Sequence, residues 1–265
     1  MAVHIISGGS DAEQRRDGDF VPKSGRYQRT DEYIDVLKKS WYSEKDFDHQ
    51  GEFYQAEKAF SAIKPSQQRL PVFFGGSSED AIRVAGKHAD VFALWGEPLA
   101  SAAETVAAVK ASAAQHQRDI DFSISFRPIL GKTEEEAWAK ADEILAKATA
   151  QRATSGQTLA AKPQSVGAQR LLNAVAQGDR LDSCLWTGIA GLIGGGSNST
   201  ALVGTPEQVS DALLKYYDLG ITTFLIRGFD PLNDAVEYGK SLIPLTKQKI
   251  AARQAAHHPA RASLV

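Results

Sequence analysis

The sequence predicts an α/β protein with a parallel sheet and helical crossovers. Three features carry that expectation: short apolar runs alternate with helical patterns, a turn rich in Gly, Ser or Pro follows each run, and roughly five such units can be counted. A strand buried on both faces appears as a continuous apolar run, and Pro71-Val-Phe-Phe is the plainest case. A closed (β/α)8 barrel needs eight units, whereas a doubly wound open sheet could be complete with five. Periodicity leaves both open.

The first run, residues 3–7, is β-branched and ends in Gly8-Gly9. Residues 30–42 follow a 3.6-residue period, with Tyr33, Ile34, Leu37 and Trp41 on one stripe and Thr30 or Asp31 as cap. Residues 47–56 suggest a hairpin turning at Gly51. After Pro71-Val-Phe-Phe and Gly75-Gly-Ser-Ser, a helix opens at Glu79. A strand at 90–95 ends in Trp95, and an alanine-rich helix covers 100–117. A strand at 121–130 follows, then a helix at 133–150 whose Thr133-Glu-Glu-Glu start matches a capping box. The rhythm breaks at 153–200, which contains the run Gly194-Gly-Gly-Ser-Asn-Ser and is expected to be mobile. It resumes with a helix opening at Thr205-Pro-Glu-Gln-Val. A strand at 222–227 and a helix over 230–254 complete the pattern, with a disordered tail at 255–265.

Composition removes several function classes. At 265 residues, 43% hydrophobic and 23% charged, the chain can bury one large core or two small ones. A net charge of −2 supplies no basic surface for nucleic acid. No apolar run approaches the ~20 residues of a membrane span. Met1-Ala-Val-His-Ile-Ile lacks the features of a signal peptide, so a cytoplasmic protein is the simplest expectation. The single cysteine, Cys184, excludes an intrachain disulfide and is read as a small buried hydrophobe. His49, His88 and His116 stand singly in segments read as solvated surface, and no metal or hydrolase motif is present, so no metal site is expected.

The candidates for chemistry lie at strand ends. The turn Gly75-Gly-Ser-Ser could bring bare backbone, helix N–H groups and two hydroxyls to a phosphate, or Ser78 could simply cap a helix. Arg127 lies in the apolar stretch Ser125-Phe-Arg-Pro, and Arg227 ends Thr222-Thr-Phe-Leu-Ile-Arg. A guanidinium there either faces an anionic ligand or forms a structural salt bridge. Trp95 could wall a flat cofactor or close the core edge, and Tyr27 could reach a phosphate or pack. The glycine run at 194–196 could cradle a phosphate, but it lacks a P-loop ending and is read as a mobile loop, which could still act as a lid.

Taken in order, Val3-His-Ile-Ile-Ser-Gly-Gly, Gly25-Arg-Tyr, Pro71-Val-Phe-Phe-Gly-Gly-Ser-Ser, Leu94-Trp-Gly-Glu-Pro, Thr133-Glu-Glu-Glu-Ala-Trp, Leu185-Trp-Thr-Gly and Thr200-Ala-Leu-Val-Gly-Thr-Pro-Glu resemble the bacterial luciferase-like flavin-dependent monooxygenases. Within that family they are most similar to the FMNH2-dependent alkanesulfonate monooxygenases. The resemblance implies an incomplete (β/α)8 TIM barrel, roughly its last five strand–helix units, with the family's N-terminal part absent. It implies one domain over 1–254, with the mobile insertion at about 153–200. It implies an enzyme that takes reduced FMN from a separate flavin reductase, uses O2, and oxygenates a small organic substrate, releasing sulfite and aldehyde from an alkanesulfonate. A homo-oligomer is the expected assembly. Ser7, Tyr27, Gly76, Ser77 and Ser78 would bind FMN, and Trp95, Arg127, Arg227 and Phe229 would stand at the catalytic end. The chain departs from the family pattern in carrying Ser125 and Arg127 where an arginine and a histidine are usual, and Phe229 where a tyrosine is usual. Two alternatives are a non-catalytic truncated subunit and a deazaflavin-dependent oxidoreductase of the same fold.

Overall fold

The structure is a computed structural model that describes residues 1–155 and 163–257. In chain order the elements are β1 (Val3–Ile5), α1 (Asp11–Arg16), α2 (Lys23–Tyr42), β2 (Phe47–Gln50), β3 (Gln55–Ala59), β4 (Val72–Gly75), α3 (Glu79–His88), β5 (Val91–Trp95) and α4 (Leu99–Ala114). Next come β6 (Asp121–Phe126), β7 (Ile129–Leu130), α5 (Glu134–Ser155), α6 (Val166–Gln177), β8 (Arg180–Leu181), β9 (Leu185–Trp186) and α7 (Gly188–Leu192). The chain continues through β10 (Ala201–Gly204), α8 (Pro206–Asp218), β11 (Ile221–Ile226) and α9 (Pro231–Glu237). A π-helical turn at Tyr238–Leu242 then leads into α10 (Ile243–His257). Residues 156–162 of the expected insertion and 258–265 of the expected tail lie outside the described residues.

Five strands form one sheet in the order β1-β4-β5-β6-β11. β1 pairs parallel with β4, Val3 opposite Val72, and β4 pairs parallel with β5, Phe73 opposite Val91. This is the α/β fold with a mostly parallel central sheet that the alternation predicts, built from the five apolar runs. By packing, the chain divides into two compact units. One is Met1–Ala93 with Thr105–Phe122 and Gln164–Val166, and the other is Leu94–Glu104 with Ser123–Pro163 and Gly167–Val265.

In the first unit Val72 and Phe74 are fully buried, together with Ile34 of α2, Ala81 and Val84 of α3, and Val109 of α4. Helix α2 starts at Lys23 with Pro22 at its cap position, two turns before the expected cap at Thr30 or Asp31. Those two residues turn inward instead. Thr30 donates its hydroxyl to the Arg26 carbonyl, and the Asp31 carboxylate accepts from Lys87 Nζ (2.5 Å), His88 Nε2 (2.8 Å) and Arg83 Nη1 (3.2 Å). The β2–β3 hairpin is present as expected, with the Gly51 amide donating to the Tyr54 carbonyl.

His88 and His49 correct the expectation of solvated histidines. His88 is buried against Asp31, with Nδ1 3.8 Å from Asp35, and its carbonyl accepts from Lys38 Nζ. His49 Nε2 lies 2.9 Å from the Glu32 carboxylate, while His116 is exposed as expected. A polar residue at the inner end of an amphipathic helix is buried when an acid on the neighbouring helix satisfies it.

In the second unit the expected strand at 121–130 divides. β6 ends at Phe126, and Pro128, which has no amide donor, precedes the two residues of β7. β7 joins a second sheet in the order β7-β10-β9-β8, in which β10 is parallel to β7 and antiparallel to β9. Trp186, Leu185, Leu202 and Val203 of that sheet are buried, and Trp138 of α5 lies in the same core cluster as Trp186 and Val203. Helix α6 buries Leu171 and Ala174. Part of 166–200 is therefore tied down by apolar residues, where the sequence suggested few such anchors. Tyr238, in the π-turn, donates its hydroxyl to the Pro128 carbonyl. Cys184 is buried as expected, and burial pushes its thiol pKa up to about 12.

Burial lowers the His88 pKa below the ordinary histidine value, despite the opposing pull of Asp31. The unfolded chain therefore takes up this proton at a higher pH than the folded one does. The contribution of neutral His88 is complete above about pH 6.5 and is lost as pH falls through the folded pKa. Urea unfolding at pH 7.5 and 5.5 should show the parent losing more stability between the two than His88→Gln. Equal losses would exclude His88 as the source.

Candidate functional site

The first group of candidates lies in the first unit. β4 ends at Gly75, and α3 begins at Glu79 with Ser78 as N-cap, its Oγ accepting from the Ala81 amide at 3.3 Å. Ser78 therefore does cap a helix, and it does so inside the turn expected to face a phosphate. Gly76 has φ of 145°, a conformation that favours glycine. A Cβ there would stand 2.7 Å from Ala81 Cβ and 3.2 Å from the Tyr27 hydroxyl. The bare backbone of Gly76 thus faces the phenol of Tyr27, a buried residue of α2. Ser7, just past β1, shares a hydrogen bond with Thr30 (Oγ to Oγ1, 2.8 Å).

Arg26 of Gly25-Arg-Tyr, which carries no sequence signal of its own, joins this group. It is 1% exposed. Its Nε donates to the Ser7 carbonyl (3.0 Å), and its Nη1 donates to Asp11 and to the Val21 carbonyl (both 2.7 Å). Its Nη2 is buried without a partner. The donors gathered near the start of α3 suit an anion, while Glu79 and Asp80 in the first turn oppose one. The bare Gly76 backbone beside the Tyr27 hydroxyl suits a phosphate better than a flat or apolar group.

The second group lies in the second unit. Trp95, at the end of β5, is half-buried. Arg127 follows β6 and is held by main-chain acceptors, the Asn198 carbonyl to Nε (2.8 Å) and the Gly228 carbonyl to Nη1 (2.9 Å). Its guanidinium lies 5.1 Å from the Phe229 ring centroid. No carboxylate pairs with it among the described residues, so it is not the structural salt bridge the sequence left open. Burial lowers its pKa, and the positive charge of the exposed Arg227 lowers it further.

Arg127 also grips the segment across from it at two points, since its amide donates to the Thr200 carbonyl (3.1 Å). Ser199, between the two gripped carbonyls, is buried with no partner for Oγ, and Asn198 Oδ1 is likewise unsatisfied. The Arg127 cation beside the unpaired Ser199 hydroxyl is an arrangement that a negatively charged ligand would complete, whereas Asn198 Oδ1 needs a donor. Neither Asn198 nor Ser199 stood out from the sequence beyond membership of the glycine-rich run.

Residues 1–223 match the profile of the luciferase-like monooxygenases. The chain belongs to this family. Among solved structures similar to this chain is a riboflavin lyase with modified FMN and substrate riboflavin, with a TM-score of 0.70 at 20% identity. That match covers 89% of this chain and 60% of the other. The EDTA monooxygenase from Chelativorans sp. BNC1 gives a TM-score of 0.68 at 18% identity, over 91% of this chain and 66% of that one. An F420-dependent secondary alcohol dehydrogenase in complex with an F420-acetone adduct gives 0.57 at 16% identity, over 85% and 63%. At such identities the likeness concerns the fold. The chain spans 60 to 66% of the length of these structures.

Gly76→Ala would force a Cβ against Ala81 in a backbone conformation that alanine adopts only with strain. It should destabilise the protein by about 1–3 kcal/mol, measurable as a lowered urea midpoint at unchanged m-value. An unaltered midpoint would mean that the turn relaxes freely.

Proposed function

We propose that this luciferase-like monooxygenase uses reduced FMN, supplied by a separate flavin reductase, and O2 to oxygenate a small organic substrate, an alkanesulfonate or related organosulfur compound. The observation that carries the flavin assignment is the bare backbone at Gly76 facing the Tyr27 hydroxyl, at the start of α3. Ser77 and Ser78 would share the phosphate with Tyr27, and Ser7 would border it. Reduced FMN would supply the two electrons that split O2, one oxygen atom ending in the aldehyde and the other in water as the C–S bond breaks and sulfite leaves.

This chain's own residues would bind and orient. Arg127, free of any acidic partner among the described residues, would hold the sulfonate with Arg227, and Phe229 would support the guanidinium from below. Trp95 would wall the reacting end and help exclude water. On this reading the chain carries five of the eight units of a (β/α)8 barrel within one domain over 1–254. The 60 to 66% coverage of solved relatives supports that count. The protein would work as a homo-oligomer in the cytoplasm. Among the described residues no helix is long and apolar enough to cross a membrane. Likeness to an F420-dependent dehydrogenase favours one second reading, a deazaflavin in the same cradle. The cofactor recovered from protein purified from its native host separates the two.

Ser77→Asp should weaken FMN by about fivefold to several hundredfold, because two negative charges ~4 Å apart repel by roughly 1–4 kcal/mol between water and protein-surface dielectrics. Riboflavin, which lacks the phosphate, should bind almost unchanged. Equal FMN affinity in fluorescence titrations of variant and parent would put the phosphate elsewhere. Arg127→Met should raise KM for an alkanesulfonate by roughly 10- to 100-fold, the worth of a charge-assisted hydrogen bond. An unchanged KM in steady-state assays would remove Arg127 from the substrate site.

A further inference from the structure

Glu97 lies two residues past Trp95 and is 3% exposed. Arg170 of α6 donates to its carboxylate from Nε (3.0 and 2.9 Å) and from Nη2 (2.6 Å). Arg170 Nη2 also donates to the Ser101 carbonyl at 2.9 Å. The same stretch is held at further points. Thr200 Oγ1 donates to the Gly96 carbonyl (2.8 Å), the buried Tyr216 hydroxyl donates to the Glu97 carbonyl (2.7 Å), and the Leu99 amide donates to Asp182 (2.7 Å). Gly96 leaves no room to adjust, since a Cβ there would stand 2.4 Å from both the Phe126 ring and Thr200 Oγ1. The residues that follow Trp95 are thus fastened to α6, to the 180s and to Thr200.

A buried ion pair is weak evidence for stability, because well-packed apolar residues of the same volume often do as well or better. What it supplies is geometry. The Arg170 fork engages the carboxylate in one plane, and breaking the pair would leave Glu97 charged and buried. A single leucine at either position would fill space without fixing direction.

We propose that Glu97 and Arg170 are positioning residues that lock helix α6 of the insertion to the end of β5 and so set the placement of Trp95 for the organic substrate. This role rests on the monooxygenase reading above, and it assigns neither residue a contact with substrate or flavin. The pair acts on the substrate end alone, leaving the phosphate turn of the first unit untouched.

Hydrogen exchange on the full chain tests the lock without any need for turnover. In Arg170→Ala the amides of 96–101 and of 166–177 should lose protection together, by about tenfold or more, while those of 72–75 hold. Arg170→Lys should lose less, since one ammonium restores the charge without the fork. Faster exchange in 166–177 with 96–101 still protected would overturn the proposal, and so would equal acceleration at 72–75, which would signal general loosening. In steady-state assays with reduced FMN and an alkanesulfonate, Arg170→Ala should raise KM for the sulfonate about tenfold. kcat should stay within threefold, and the FMN dissociation constant within twofold. An unchanged KM against an active parent would also overturn the proposal. An inactive parent would count against the monooxygenase reading alone, and the exchange result would still decide the lock.

Discussion

Parallel strands cannot be joined by a tight turn, and everything polar in this molecule is arranged around that constraint. Each crossover must travel back outside the sheet, usually as a helix, and the helices seal the strands from water. In the first unit Val72 and Phe74 have no exposure at all. In the second, Ile124 and Phe126 are sealed in the same way. A charge inside such a strand would be costly to bury, so charged function begins where the strand stops. Gly76, Tyr27 and Ser78 gather after β4, Glu97 follows β5, and Arg127 follows β6.

The same constraint explains how much of the fold was legible. Val72 to Phe74 and Val91 to Trp95 stand out because burial on both faces writes a continuous apolar run, whereas the sheet's end strands β1 and β11, partly exposed, stand out only as short β-branched runs between turns. The second sheet does not stand out. β8 and β9 have two residues each, and β10 has four, too few for any period to emerge. The first two turns of α2 were hidden by Gly25 and by a run of polar residues, and its cap position is occupied by Pro22, which offers no capping side chain. His88 departs from its surface-like sequence context for a different reason. Its acceptor, Asp31, belongs to another helix, and no local pattern announces that meeting.

The candidate site divides along similar lines. Glycine and serine between a strand and a helix advertise a turn with open backbone, and Gly76 has the conformation that such a turn needs. Arg127 drew notice as a charge in an apolar stretch. That its partners would be the carbonyls of Asn198 and Gly228, and not a carboxylate, depends on two distant loops. Arg26 and Glu97 were invisible because sequence records charge but not burial. Once placed, the two differ in an instructive way. Glu97 has its charge answered by a matched fork, whereas Arg26 keeps one nitrogen unanswered.

Sulfur is nearly absent from this chain, which has one methionine, Met1, and one cysteine. Peroxide attacks the thiolate rather than the thiol, and Cys184 is buried with its proton held far above neutral pH. On the proposed function, the protein would work beside oxidants leaked from its own reduced cofactor. Here the single thiol has almost no reactive form to offer them, and the only thioether stands at the exposed first residue, outside the core behind the strand-end turns. Oxidative damage at sulfur therefore has little purchase on the core that holds those turns in place.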